Sequence, residues 1–347
     1  MTNPVRIVMA RARYGGARDD LSIERAVIAR YPDLDVELEL RDIHTPEDIL
    51  AAGKNADAVM LSLRHALPKS TLDRYAVDGV KVVGRYGTGL DNVDLDAAAS
   101  LGIVVTHFPA YCTNEVADHT VALVLAMNRR IVELDQDVRA GVWAREGANT
   151  DALVRGPIAA MGDLTVGIVA MGAIGRAIVE RLHVFGARIL GHDPYVPEEA
   201  FARLGVERVG FDDLLCRSDV IVLMSPLLPS TRGMIGAAQF AMMKPDAMLV
   251  NTSRGAIIDE AAMIAHLRAT PAFRVGLDVF EQEPLPTDSS LLDLPNVIVS
   301  PHAGFYSTRS TETILRETMA AVLDVLSGRR PAVVANPKVL EMVSLAG

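Results

Sequence analysis

The stretch Thr165-Val166-Gly167-Ile168-Val169-Ala170-Met171-Gly172-Ala173-Ile174-Gly175 joins an apolar run to a glycine-spaced turn and opens the helical segment Ile174–Phe185. The run ending at Val169 is apolar at odd and even positions alike, as expected of a parallel strand buried on both faces. In the turn, Gly172 lets the backbone approach a pyrophosphate, and Gly175 lets the helix pack closely on the strand. The free N–H groups of Ala173, Ile174 and Gly175 at the helix start suit an anion. Ala170 stands where a first glycine would ease the turn, and the expectation is that it keeps a negative φ, so that the replacement is mild. About 20 residues on, Asp193 ends the next strand, where a carboxylate can hydrogen-bond both ribose hydroxyls of an adenosine and repel a 2′-phosphate. No Arg or Lys follows in Pro194–Ala200, which favours NAD over NADP.

Outward from this stretch, residues 164–300 alternate strand and helix signals. Strands are expected at 188–191 and 220–224 and near 247, 275 and 297, with helices over 174–185 and around 201–204. Such alternation implies a doubly wound parallel sheet. The first 106 residues alternate in the same way, with strands at 5–10, 36–40, 58–63, 81–84 and 103–106 and a helix over Ser22–Tyr31, and form a second, smaller α/β domain. Asn114–Glu133 reads as one long helix, small or apolar nearly all round, hence buried against another domain or subunit. Arg145–Asp163 reads as polar and irregular, and Ser310–Ser327 as a long helix.

Three polar residues follow apolar runs near the end of the chain. Arg254 stands in Asn251-Thr252-Ser253-Arg254-Gly255, Glu283 in Asp278-Val279-Phe280-Glu281-Gln282-Glu283-Pro284, and His302 in Ser300-Pro301-His302-Ala303-Gly304. Ligands of open α/β sheets bind outside the carboxyl ends of the strands, so a guanidinium, a carboxylate and an imidazole would meet in one crevice. The set suits a reaction that needs a carboxylate clamp and a tuned proton donor.

With these motifs the chain resembles the D-isomer-specific 2-hydroxyacid dehydrogenases. The series N-x-S-R-G, D-V-(x)3-E-P and P-H-A, the nucleotide loop, and Gly84-Arg85-Tyr86-Gly87-Thr88-Gly89-Leu90-Asp91-Asn92-Val93-Asp94 follow in order over roughly residues 55 to 335. Within the family, His302-Ala303-Gly304-Phe305-Tyr306-Ser307 and Asp193-Pro194-Tyr195 look closest to the C-terminal binding protein-like and phosphoglycerate dehydrogenase-like branch.

The resemblance implies two Rossmann-like domains. The NAD-binding domain, 107–305, would be inserted in a discontinuous substrate domain made of 1–106 and 306–347, and the 114–133 helix would build a homodimer. It implies NAD as cofactor, touched by Thr88, Ser225, Thr252 and Asp278 besides the loop and Asp193, with Asp278 near the nicotinamide carboxamide. It also implies reversible reduction of a 2-oxo acid to a D-2-hydroxy acid. His302 would serve as proton donor, Glu283 would bond its other ring nitrogen and favour the protonated ring, and Arg254 would hold the substrate carboxylate. A glutamate at 283, where formate dehydrogenases carry glutamine, points to a 2-oxo acid. Arg64 and Arg85 are candidates for a second anionic group, Gly87 for the carboxylate cradle, and Tyr86 and Phe305 for pocket walls. Phosphohydroxypyruvate, hydroxypyruvate and branched or aromatic 2-oxo acids all remain open as substrates. The end at residue 347 leaves no room for a regulatory domain, which is expected to weigh against the first. An alternative is an NADH-sensing, corepressor-like dimeric binding protein.

Composition sets the outer bounds. The 347 residues exceed the roughly 250–300 at which single cores stop growing, so two domains are expected. A formal net charge of −10 argues against non-specific nucleic-acid or anionic-membrane binding, though not against a local anion pocket. Cys112 and Cys216, without metal-type spacing, read as reduced thiols. The segment Met1–Arg11 is too short in apolar residues for a signal peptide, and no run reaches the roughly 18 apolar residues of a membrane helix, so the expected location is the cytoplasm.

Overall fold

Runs of Val, Ile, Leu and Met separated by glycine and proline become strands, because β-branched and apolar side chains pack well on a pleated surface covered on both faces. The computed structural model describes residues 4–11, 20–145, 150–154 and 158–346. The expectation for Met1–Arg11 falls partly, and that for Arg145–Asp163 partly, outside them. The described residues divide into two compact units, residues 1–112 with 306–347, and residues 113–305.

The first unit runs β1 (Val5–Ala10), α1 (Ser22–Ile28), β2 (Val36–Arg41), α2 (Pro46–Ala52), β3 (Ala58–Ser62), α3 (Lys69–Asp78), β4 (Val82–Tyr86), α4 (Leu95–Ser100) and β5 (Val104–Thr106). Its five strands are all parallel, in the order β2-β1-β3-β4-β5. Alternate strand residues serve opposite cores. Val8, Val59, Leu61 and Val83 pack with Leu72 and Tyr75, while Ile7, Met9, Met60 and Val82 pack on the other face.

The second unit begins with α5 (Thr113–Asn128), α6 (Ile131–Arg139), α7 (Val142–Arg145) and α8 (Thr150–Leu153). It continues β6 (Thr165–Val169), α9 (Ala173–Val184), β7 (Arg188–His192), α10 (Glu198–Arg203), β8 (Glu207–Arg208), α11 (Phe211–Arg217) and β9 (Val220–Leu223). It closes with α12 (Ala237–Met242), β10 (Met248–Asn251), α13 (Glu260–Ala269), β11 (Arg274–Leu277) and β12 (Val297–Val299). Seven parallel strands lie in the order β12-β11-β10-β9-β6-β7-β8. The order reverses between β6 and β9, the place where doubly wound folds bind nucleotides. Val166, Ile168, Val220, Val222 and Val250 face α5 and α9, whereas Ile221, Leu223, Leu249 and Val275 face α11, α12 and α13. The chain then returns to the first unit in α14 (Thr308–Leu326), whose Met319, Val322 and Leu323 complete the core under β4.

Several elements differ from the sequence reading. The helix expected over Asn114–Glu133 ends at Asn128 and restarts at Ile131, because Arg130 takes a left-handed φ of 51°. The Met127 carbonyl accepts from the Arg130 N–H at 3.2 Å and from the buried Arg274 guanidinium at 2.7 Å. The first helix stops at Ile28 rather than Tyr31. The described part of 145–163 contains α8 and a 3-10 turn at Met161–Asp163. The first junction falls after Cys112 rather than Thr106, since His107 Nδ1 donates to the Thr88 carbonyl at 3.0 Å and Thr88 Oγ1 donates to the Pro109 carbonyl at 3.2 Å. Among the described residues no helix is long and apolar enough to cross a membrane.

Candidate active site

In the second unit the strands β6, β7, β9, β10, β11 and β12 run parallel, so the residues that follow them collect at one edge of the sheet. After β6 comes the glycine turn. Ala170 has φ 76°, which corrects the expectation of a negative value. The tight return from strand to helix demands a left-handed residue there whatever its side chain, and alanine absorbs the strain. A Cβ on Gly175 would lie 2.4 Å from the Ala170 carbonyl oxygen, so this position admits only glycine while the turn keeps that shape. A Cβ on Gly172 would meet nothing within 4 Å, leaving the backbone open to a ligand beside the exposed Ala173 and the N-terminus of α9.

Asp193, after β7, accepts from the Met171 N–H at 2.9 Å through Oδ2 and from the Tyr195 N–H at 2.9 Å through Oδ1. It therefore braces the glycine turn as well as its own, and each oxygen keeps a further lone pair for a ribose hydroxyl. Ser225, after β9, is buried. Thr252, after β10, is buried with Oγ1 2.7 Å from Thr120 Oγ1. Thr120 donates to the Val116 carbonyl at 2.7 Å, so Thr252 must donate to Thr120 and keeps only lone pairs for any other partner. An acceptor at 252, a carboxylate at 193 and an open helix start at 172–175 fit a dinucleotide.

The turn after β10 is stitched by Asn251, whose amide donates to the Arg254 carbonyl at 2.8 Å and whose Oδ1 accepts from Ser253 N and Oγ at 3.1 and 2.8 Å. A Cβ on Gly255 would fall 1.9 Å from the Phe280 carbonyl carbon, so the Arg254 turn lies directly on the backbone after β11. That contact brings the three polar residues together. His302 Nδ1 lies 2.7 Å from Glu283 Oε2, and Glu283 Oε1 accepts from the Phe280 N–H at 3.0 Å. A carboxylate can only accept, so Nδ1 carries the hydrogen and the neutral ring presents a lone pair at Nε2. Burial pushes the Glu283 carboxyl up, but His302, the Phe280 N–H and the nearby Arg254 charge together hold it below its ordinary value. The Phe305 ring stands edge-on to His302 at 6.1 Å.

Asp278 follows β11 in the same unit as the nucleotide loop. It is 2% exposed, and both oxygens are engaged within the protein, by Ser300 Oγ, Ala303 N and Gly304 N at 2.6, 2.9 and 2.8 Å. Asn251, Ser300 and His119 are positions that sequence reasoning passed over. The signal available for His119 was an imidazole on a helix otherwise read as small and apolar.

The remaining candidates lie in the first unit, at the carboxyl ends of β3 and β4. Arg85 is fully buried and donates to the carbonyls of Leu61 and Gly89 at 3.3 Å each and to Asn92 Oδ1 at 2.9 Å. Asn92 in turn donates to the carbonyls of Leu63 and His65 at 2.7 and 2.8 Å. The expectation that Arg85 reaches a second anionic group is thus corrected: its guanidinium ties the glycine loop to the neighbouring turn. Tyr86 is also interior, with its hydroxyl 3.8 Å from Met60 Sδ. Gly87 has φ 139°, Thr88 is exposed, and the Arg64 side chain is exposed with no hydrogen bond or ion pair among the described residues.

Comparison with known proteins places this arrangement. Residues 121–304 match the model of the D-isomer specific 2-hydroxyacid dehydrogenase, NAD binding domain. The chain is 36% identical to D-3-phosphoglycerate dehydrogenase of Mycobacterium leprae over 295 residues, covering 84% of this chain and 54% of that protein. It is also 36% identical to glyoxylate reductase of Korarchaeum cryptofilum over 298 residues, covering 85% of this chain and 87% of that protein. A solved protein from Thermus thermophilus superposes with a TM-score of 0.82 at 32% identity, covering 95% of this chain and all of that one. The chain spans about half the length of the phosphoglycerate dehydrogenases it matches.

Proposed function

Because the chain belongs to the D-isomer specific 2-hydroxyacid dehydrogenase family, in its phosphoglycerate dehydrogenase-like branch, and carries that family's NAD-binding domain, we propose that it interconverts a 2-oxo acid and a D-2-hydroxy acid. The observation that supports this most is the 2.7 Å His302–Glu283 pair, which lies beside the Arg254 turn in the same unit as the nucleotide loop. The cofactor, when bound, would supply a hydride to the carbonyl carbon of the 2-oxo acid as NADH, or accept one from the carbinol carbon of the 2-hydroxy acid as NAD.

Every other step falls to side chains. The Arg254 guanidinium binds the substrate carboxylate and draws charge from the carbonyl oxygen. His302, protonated at Nε2, gives that proton to the oxygen as hydride arrives at carbon, and takes it back in the reverse direction. Glu283 holds the ring through Nδ1 and stabilises the imidazolium that precedes transfer. Arg64, whose side chain is exposed, is inferred to be the residue for a distal anionic group, rather than the buried Arg85.

The test follows NADH consumption over a panel of 2-oxo acids with the wild type, His302→Gln and Arg64→Ala. The His302 variant should lose about 10²- to 10⁴-fold in kcat while still binding NADH. Arg64→Ala should raise KM for an anionic substrate about tenfold or more with kcat little changed. Retention of most kcat in His302→Gln would remove the proton-donor role. Tight NADH binding without turnover of any 2-oxo acid would favour a cofactor-sensing binding protein.

A further inference from the structure

His302 has φ 52°, a backbone conformation that a side chain of this size holds only where its surroundings over-determine it. The hydrogen bonds that hold it involve the segments that follow β12 and β11. The His302 N–H donates to the Ser300 carbonyl at 3.0 Å. The next two N–H groups, of Ala303 and Gly304, donate to the two oxygens of Asp278 at 2.9 and 2.8 Å. Asp278 thus grips the turn immediately after the imidazole.

The carboxylate is itself held by a hydrogen-bond chain with a fixed direction. Asp278 has no hydrogen to give, so the Ser300 hydroxyl, 2.6 Å from Oδ1, points its hydrogen at the carboxylate. The lone pairs of Ser300 Oγ then face His119 Nε2, 2.8 Å away, so Nε2 carries a hydrogen and donates it. The same nitrogen lies 3.4 Å from Asp278 Oδ1. This arrangement excludes a nucleophilic serine. In a hydrolytic triad the imidazole receives the serine hydrogen and turns its other nitrogen to the carboxylate. Here Ser300 gives its hydrogen to Asp278, and one imidazole nitrogen faces both partners.

We propose that His119 is a positioning residue for the acid–base imidazole: by donating to Ser300 and lying against Asp278, it fixes the carboxylate that grips Ala303 and Gly304 and so holds His302 toward Glu283. The inference rests on the dehydrogenase reading of His302, but its structural half stands apart from turnover. Burial pushes the Asp278 carboxyl up, yet His119, Ser300 and the two N–H groups hold it below its ordinary value, so it remains an acceptor through the neutral range. A Cβ added to Gly304 would come within 2.9 Å of Asp278 Oδ2 and 3.3 Å of the His119 ring, which shows how closely the turn sits on the pair.

The experiment compares the wild type with His119→Leu, His119→Gln and Ser300→Ala. It reads kcat and KM for a turned-over 2-oxo acid, NADH affinity by fluorescence titration, and amide hydrogen exchange at Ala303 and Gly304. Glutamine keeps an N–H donor near the position of Nε2, whereas leucine does not. In His119→Leu, kcat should fall about 10- to 100-fold with KM and NADH affinity little changed, as expected when a reacting group loses its alignment. Exchange at Ala303 and Gly304 should quicken at least about tenfold while the β6 amides stay protected. Ser300→Ala should behave alike, and His119→Gln should restore most of both signals. A kcat within about twofold of wild type in His119→Leu, or equal losses in the Leu and Gln variants with NADH affinity falling in step, overturns the proposal. If the wild type reduces no 2-oxo acid, the dehydrogenase reading fails, and the exchange rates alone decide the positioning. Unchanged protection in His119→Leu then overturns it.

Discussion

Ala170 shows how a single residue can be placed correctly from sequence and misjudged in conformation. The spacing Ala170-x-Gly172-x-x-Gly175 marks a nucleotide turn whichever small residue opens it, because Gly172 and Gly175 carry the steric demands. The φ of 76° at Ala170 depends on how β6 must leave the sheet to start α9, and no local pattern reports that. The left-handed region costs an L-residue about 1–2 kcal/mol, and glycine loses about 0.5–1 kcal/mol more conformational freedom than alanine on folding. Ala170→Gly should therefore raise stability by up to about 1 kcal/mol, and Ala170→Val should lower it; thermal unfolding at fixed NADH concentration measures both. Equal melting temperatures for the glycine and valine variants would show that the turn is not strained. Arg85 teaches the complementary lesson. Its place before a glycine loop was legible, but an arginine on a loop reads the same whether it reaches a ligand or ties Leu61, Gly89 and Asn92 together.

Among the elements, α5 is the one whose reading changed most. Its composition correctly marked it as buried, with Leu123, Val124 and Met127 in the core. Its end did not follow from local sequence alone, because the Met127 carbonyl accepts, besides the Arg130 N–H, the guanidinium of Arg274, 147 residues away. With α9, α5 also forms a shallow, mainly apolar hollow of about 370 Å³ lined by Val121, Ala122, Leu125, Val184 and Phe185 together with the ion-paired Asp118 and Arg181. Val184 is 85% exposed and Phe185 43%, an apolar patch of the kind that marks an interaction surface. We expect a second copy of the chain to cover this face. Sedimentation velocity should give a dimer for the wild type and a shift toward monomer for Val184→Asp, while a monomeric wild type at micromolar concentration would refute the expectation.

At the scale of the whole molecule, burial of imidazoles links stability to pH. His65 is buried with Nδ1 accepting from the Ser62 N–H at 3.0 Å and Nε2 donating to the Ile43 carbonyl at 3.0 Å. Burial, and less strongly the charges of Arg85 and Arg64, lower its pKa, and burial likewise lowers those of His107 and His266. A histidine whose folded pKa is depressed is protonated first in the unfolded chain, so stability is present above the unfolded value of 6.5 and is lost as pH falls below it. The melting temperature should therefore drop between about pH 7.5 and about pH 5.5. The drop should shrink in His65→Asn, which keeps an acceptor for Ser62 but cannot titrate. A melting temperature flat over that window would contradict the burial argument.

Most of the strands, their alternation with helices, the nucleotide turn and the places of Arg254, Glu283 and His302 after apolar runs were legible in the sequence by itself, because each rests on periodicity, glycine spacing or a polar residue at the end of an apolar run, whereas α2, α3, α4, α11, α12 and α13 were not singled out. Those signals are local, and a parallel sheet turns them into a site automatically by gathering strand ends at one edge. Only the tertiary structure decided the left-handed turns at Ala170 and His302, the burial of Arg85, the end of α5 at Arg274, and the chain from His119 through Ser300 to Asp278. The turn at Ala170 is set by the way β6 must leave the sheet to start α9, and the others depend on partners distant in sequence, where the cost of an unpaired buried polar group, rather than any local preference, selects the conformation.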